Sequence, residues 1–142
     1  MNVSAKTEYA CIAVLELAAR YGQTEPIRVR SIADAHGIPS RFLVQILLQL
    51  KTAGIVNSIR GAAGGYQLAR DPGDVTLGEV MRVVEAASSE PASNAGIQTP
   101  TSAALMDVWR EAYDQQRELL DSVTFAELAE RARGRSEPMY YI

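Results

Sequence analysis

The most constraining stretch of this sequence runs from Ile55 to Ala69, where two short β-prone runs flank a tip of Arg60, Gly61, Ala62, Ala63, Gly64 and Gly65. Three glycines within five residues allow positive φ and a tight reversal, so residues 55–59 and 66–69 read as a β-hairpin. Small side chains let the tip's backbone approach another surface, and Arg60 places a cation at its entrance. Such a tip suits a narrow anionic target, a DNA minor groove for example. An ordinary hairpin with a flexible turn satisfies the same residues equally well. The segment ahead of the hairpin decides between them.

That segment reads as three helices. Ser4 is a good N-cap for a helix to about Tyr21, closed by Gly22, with Ala10, Val14, Leu17 and Tyr21 at helical spacing. Residues 27–29 form a brief strand candidate. Ser31 to His36 gives two helical turns stopped by Gly37, and Pro39 sits at the first position of a further helix ending at Gly54. This last helix directs Phe42, Leu43, Ile46, Leu47 and Leu50 inward. Short helix, tight turn, second helix and two-stranded ribbon is the order of a winged helix–turn–helix. The helix from Pro39 to Ala53 is then the recognition helix. Its outward Ser40, Arg41, Val44 and Gln45 would face base edges, since Arg suits guanine and Gln suits adenine. A solvated helix face is the plainer reading of Arg41 alone; the hairpin that follows favours DNA.

Charge agrees with this orientation. The net charge is −3, yet residues 1–72 hold eight Lys and Arg against five Asp and Glu, a net +3. Residues 73–142 hold six against twelve, a net −6. A basic front turned towards a polyanion, on an acidic chain, implies a local and shaped contact rather than bulk charge binding. The 142 residues suffice for one domain with a real core. No apolar run reaches membrane-span length, the first residues do not read as a signal peptide, and a cytoplasmic location is expected. The lone cysteine, Cys11, excludes an internal disulfide and any multi-cysteine metal cage.

The second half reads as helices again. Thr76 to Glu79 is a capping box for a helix to about Ala87, and residues 88–102 form a polar, proline-broken loop. From Ala103 a long helix runs to about Asp121. Leu105, Trp109, Ala112, Gln116 and Leu119 mark one apolar stripe, and Met106, Tyr113 and Leu120 a second beside it. Two stripes exceed what one small domain covers, so a helix shared with a partner chain is expected. Packing on the winged part is the rival reading. Thr124 to Glu127 caps a last helix to Arg133, and the apolar Met139–Ile142 ending should dock. The organisation expected is a winged domain over 1–87, a loop over 88–102 and a helical dimerisation region over 103–142, mainly α with one small hairpin.

At this point the chain resembles the Rrf2 family of bacterial winged-helix transcription regulators. The resemblance rests on Ser4-Ala5-Lys6 with Tyr9-Ala10, on Ile32-Ala33, Gly37-Ile38-Pro39, Phe42-Leu43 and Gln45-Ile46-Leu47, and on Ala53-Gly54. It continues in Ser58, Arg60-Gly61, Gly64-Gly65-Tyr66, residues 75–80 and Trp109, covering nearly the whole chain. It implies phosphate contacts from Ser4 and Lys6, base or backbone contacts from Ser40, Arg41 and Gln45, and minor-groove contacts from Arg60 and Gly61. It also implies a homodimer through the long helix, bound to a pseudo-palindrome of double-stranded DNA. Val44 stands where some cluster-binding members carry an acidic residue.

The main departure is chemical. Cluster-binding members carry three cysteines in the loop equivalent to residues 88–102, and this loop has neither Cys nor His. Glu8, where some members supply a carboxylate ligand, cannot hold a cluster alone and complements the helix dipole instead. His36 reads as structural or exposed. The cysteine-free loop and the Met139-Tyr140-Tyr141-Ile142 ending resemble the cluster-free, CymR-like branch, which implies no cofactor, control of cysteine metabolism and sensing through a partner protein, a cysteine synthase. Two other functions stand beside a repressor: a thiol-redox sensor through Cys11, and an interaction module that has lost DNA binding. An enzyme is not expected, because no acid–base pair, nucleophile–base arrangement or phosphate loop appears.

Overall fold

In the computed structural model, which describes residues 1–85 and 90–136, the chain wraps its elements around its first helix. Ser4 opens α1 (Ala5–Ala19) by accepting the Thr7 backbone N–H on its hydroxyl at 3.1 Å. Ala10, Ala13, Val14, Leu17 and Ala18 are buried, and the small alanines let three other helices approach closely. Tyr21 does not join this face. The helix ends at Ala19, Gly22 reverses the chain at φ +91°, and Tyr21 is left exposed.

The strand expected over 27–29 shrinks to one bridge, in which Ile27 and Tyr66 exchange backbone hydrogen bonds of 2.9 and 2.8 Å. Arg28 is extended, and α2 (Val29–His36) starts two residues ahead of Ser31 because half-buried Val29 packs on the core. Gly37 ends it in the left-handed region, and Ile38 folds back to donate to the Ala33 carbonyl at 2.9 Å. Pro39 is the residue before α3 (Ser40–Thr52), not its first; its carbonyl accepts from the Leu43 N–H at 3.2 Å. Leu43, Ile46, Leu47 and Leu50 face the core, whereas Phe42 is exposed, contrary to expectation. At 100° per residue it falls on the flank of that buried stripe.

Gly54 turns the chain into β1 (Val56–Ile59), which pairs antiparallel with β2 (Gly65–Leu68), Val56 opposite Leu68 and Ile59 opposite Gly65. Of the three tip glycines only Gly61 uses positive φ, at +110°. Gly64 and Gly65 serve close approach instead. A Cβ on Gly64 would run into the Ile59 carbonyl, and one on Gly65 into the Ile27 carbonyl. The wing is thus a compact ribbon seated on the entry to α2, turned at its tip by one left-handed glycine.

Thr76 caps α4 (Leu77–Val84) by accepting from the Glu79 N–H at 3.2 Å, but the reciprocal half of the box is not made. Arg70 takes the Glu79 carboxylate instead, with bonds of 2.7 and 2.9 Å, and holds it below the usual carboxylate range. The helix stops at Val84, short of Ala87, because Glu85 is already extended. α5 (Pro100–Ser122) begins three residues before Ala103, since Thr99 and Ser102 cap each other reciprocally and Pro100 fills the first position. α6 (Phe125–Ser136) is capped by Thr124, whose hydroxyl accepts from Glu127 N–H at 3.1 Å.

The chain's end is stitched onto its front. Phe125 N–H donates to the Val75 carbonyl at 2.9 Å, and Leu77 N–H to the Val123 carbonyl at 2.8 Å. Phe125 is fully buried in the same core as Val14, Leu43 and Val80. The expected docking of Met139–Ile142, and the boundary placed at residue 87, lie outside the described residues.

Candidate nucleic-acid interface

The outward surface of α3 carries Arg41, Val44, Gln45 and Leu48, all exposed. No side chain caps α3, and none caps α2, so the first N–H groups of both helices are open to an anion. Each of the other described helices, α1, α4, α5 and α6, has a hydroxyl cap. Two side-chain bonds set the wing relative to α2 and α3. Lys51 Nζ donates to Ser58 Oγ at 2.7 Å, tying the end of α3 to β1. The Arg28 guanidinium donates to the Ala62 carbonyl, tying the start of α2 to the wing tip.

Five cations therefore collect on α2, α3 and the wing: Arg28, Arg30, Arg41, Lys51 and Arg60. None has an ion-pair partner among the described residues, although all are exposed. Arg41 and Arg60 are legible in the sequence as contact residues, whereas Arg28, Arg30 and Lys51 are not. The signal available for Arg28 and Arg30 was their alternation with Ile27 and Val29, which a brief strand explained equally well. Only the fold brings Arg28 against the wing.

Ser40 lies exposed at the open start of α3 and Gly61 exposed at the wing tip, whereas Gly64 and Gly65 are half-buried against the Ile59 and Ile27 carbonyls of their own chain. Ser4 and Lys6 lie at the start of α1. The Ser4 hydroxyl is engaged with Thr7, which donates onward to Glu85 Oε1 at 3.4 Å. Any anion contact by Ser4 therefore uses its backbone, beside the exposed Lys6.

The long helix divides the residues assigned to dimerisation. Leu105, Trp109 and Leu119 are 52, 54 and 62 % exposed, and Val108, Ala112 and Gln116 are exposed with them. Met106 is 6 % exposed, and Tyr113 and Leu120 are half-buried, all within their own chain. Met106, Tyr113 and Leu120, expected to take part in dimerisation, are thus covered to differing degrees by their own chain. The Met106 stripe packs inward, leaving one stripe bare. One helix face can satisfy its own domain, and the adjacent face is what remains.

Among the described residues, no three His, Cys, Asp or Glu side chains come together to hold a metal ion. His36 Nε2 pairs with Glu16 at 2.8 Å. Cys11 is half-buried, and burial, with Glu85 adding to it, pushes its thiol up to about 11. The thiolate is the nucleophile, so alkylation of folded protein at pH 8 should run about 100-fold slower than that of free cysteine. A stopped time course with iodoacetamide measures this; a rate equal to free cysteine would show Cys11 to be reactive.

The family model Rrf2, described as an iron-dependent transcriptional regulator, matches residues 3–131. The iron of that description finds no thiolate set in this chain, which holds one cysteine in all. The HTH-type transcriptional regulator CymR of Bacillus subtilis (strain 168) is 35% identical over 143 residues, 100% of each chain. The solved structure of B. subtilis CymR, described as its global cysteine regulator, matches with TM-score 0.82 and 34% identity. That match covers 92% of this chain and 98% of that one. The structure of T. potens IscR matches with TM-score 0.80 and 32% identity, over 99% and 95% of the two chains.

Proposed function

Since this chain belongs to the Rrf2 family of transcription regulators, we propose that it is a dimeric, sequence-specific DNA-binding repressor without an iron–sulfur cluster. One observation carries the DNA reading: an exposed α3 face with Arg41 and Gln45, held beside the wing by the Lys51 and Arg28 bonds, with no ion-pair partner for its cation among the described residues. The recognition helix enters a major groove, Arg60 and the tip glycines meet the adjacent minor groove, and the open helix starts meet phosphates. Ser4, Lys6, Arg28, Arg30 and Lys51 position the protein on the backbone. The bare α5 stripe pairs two copies on a pseudo-palindrome.

The likeness to CymR supports cysteine metabolism as the controlled pathway and a cytoplasmic site of action. Sensing then passes through a partner protein such as a cysteine synthase. The suppressed Cys11 thiol argues against thiol-redox sensing.

A binding titration at several salt concentrations, against operators recovered from bound genomic fragments, tests the reading. Arg60→Ala should weaken binding most on A·T-rich flanks and lower the salt slope by about one ionic contact. Gln45→Ala should relax preference at one major-groove position, at roughly 1–3 kcal/mol. Gly64→Val should distort the wing by collision with the Ile59 carbonyl and bind poorly. If all three bind like the parent, this surface does not read DNA and the interaction-module reading replaces it.

A further inference from the structure

The exposed face of α3 has a composition that the arginine and glutamine alone do not explain. Val44 is 38 % and Leu48 46 % exposed, and the two lie four residues apart, one above the other on the helix. Arg41 and Gln45, also four apart, form the parallel ridge beside them. The whole helix, Ser40 to Thr52, contains no Asp or Glu. In the major groove each base offers a different handle: acceptors on guanine, an acceptor and a donor on adenine, a donor on cytosine and a methyl group on thymine. Arg41 suits guanine and Gln45 suits adenine. Without a carboxylate, nothing anionic on α3 accepts from the cytosine amino group. For an aliphatic ridge, the thymine methyl is the only apolar partner the groove provides.

We propose that Val44 and Leu48 read two thymine methyl groups about two base steps apart on one strand of each half-site. The spacing follows from the helix, where four residues rise about 6 Å, against about 3.4 Å per base step along a duplex. The occupant of this apolar ridge is DNA rather than protein because of its surroundings. Arg41 lies beside it, Lys51 follows on the same helix, and Arg60 lies on the wing that Lys51 fastens to α3. This inference rests on the DNA-binding reading above and specifies its sequence preference.

The experiment begins with selection from a random duplex library by the full-length protein, followed by titration of the enriched site. Each thymine is then replaced singly by deoxyuridine, which removes only the methyl. Two positions, two steps apart, should each lose about fourfold in affinity, the factor for one buried methyl group. Val44→Ala should abolish the thymine–uracil difference at one of them and Leu48→Ala at the other. Val44→Asp should shift preference towards cytosine at the Val44 position. Both side chains are exposed, so the variants keep the fold. If the enriched site is bound specifically but no deoxyuridine replacement matters, or the difference survives both alanine variants, the proposal is overturned while the regulator reading stands. A Leu48→Ala variant that keeps the difference but changes oligomeric state would put Leu48 in a protein interface and overturn the pair. A library that enriches no sequence would overturn the DNA-binding reading itself, and this inference with it.

Discussion

Leu105→Asp combined with Leu119→Asp should yield a folded monomer whose affinity for a two-half-site operator is at least about 100-fold below the parent's. Both side chains are more than half exposed in the single chain, so the fold loses little, within about 0.5 kcal/mol for surface positions. In a paired helix the same sites would bury unpaired carboxylates, which cost several kcal/mol. Once the dimer is lost, the second half-site no longer binds as an intramolecular event, and factors of about 10²–10⁴ disappear without any change at the DNA surface. Sedimentation and operator titration read the two consequences together, and a single half-site should bind the variant and parent alike. Met106→Asp is the contrasting control. Buried in its own chain, it should unfold the protein rather than separate copies. A double variant that still sediments as a dimer would move the interface off the Leu105–Leu119 stripe.

The second large effect is on stability. Phe125→Ala should cost about 3–5 kcal/mol, the range for a fully buried aromatic. Measured against a typical total of about 5–15 kcal/mol, this is a large fraction. The reason is placement. Phe125 follows α5 in the chain yet lies in the core of the winged part, with its N–H on the Val75 carbonyl. Denaturant unfolding should therefore show one transition at a lower midpoint with an unchanged slope. A loss below about 1 kcal/mol, or a second transition that leaves the winged part folded, would show that α6 is an appendage.

Much of the architecture was legible because it depends on local chemistry. Hydroxyl caps at Ser4, Thr76 and Thr124 and stop glycines at 37 and 54 act within a few residues, and each marks the expected helix end. The departures have two causes, a distant partner at Val29 and Glu79, and a local signal at Thr99 and Phe42. Val29 turns helical because it packs on the core, Glu79 abandons its box for Arg70, and Thr99 rather than a later residue opens α5. Phe42 was read as core from its apolar character, although its angle on the helix decides its exposure.

The sequence by itself determined the order of elements, the glycine-rich wing with Arg60, the outward face of α3 with Arg41, Val44 and Gln45, and the lack of cysteine ligands. All of these follow from residue type and spacing of fewer than about ten positions. Only the tertiary structure decided which apolar stripe of α5 is used up by its own chain. It also decided why Gly64 and Gly65 are glycines, and that Arg28 and Lys51 fasten the wing. Those facts rest on which backbones come within contact distance, such as the Ile27 carbonyl against Gly65, between positions far apart in the chain. Local pattern carries no information about such meetings; packing density enforces them.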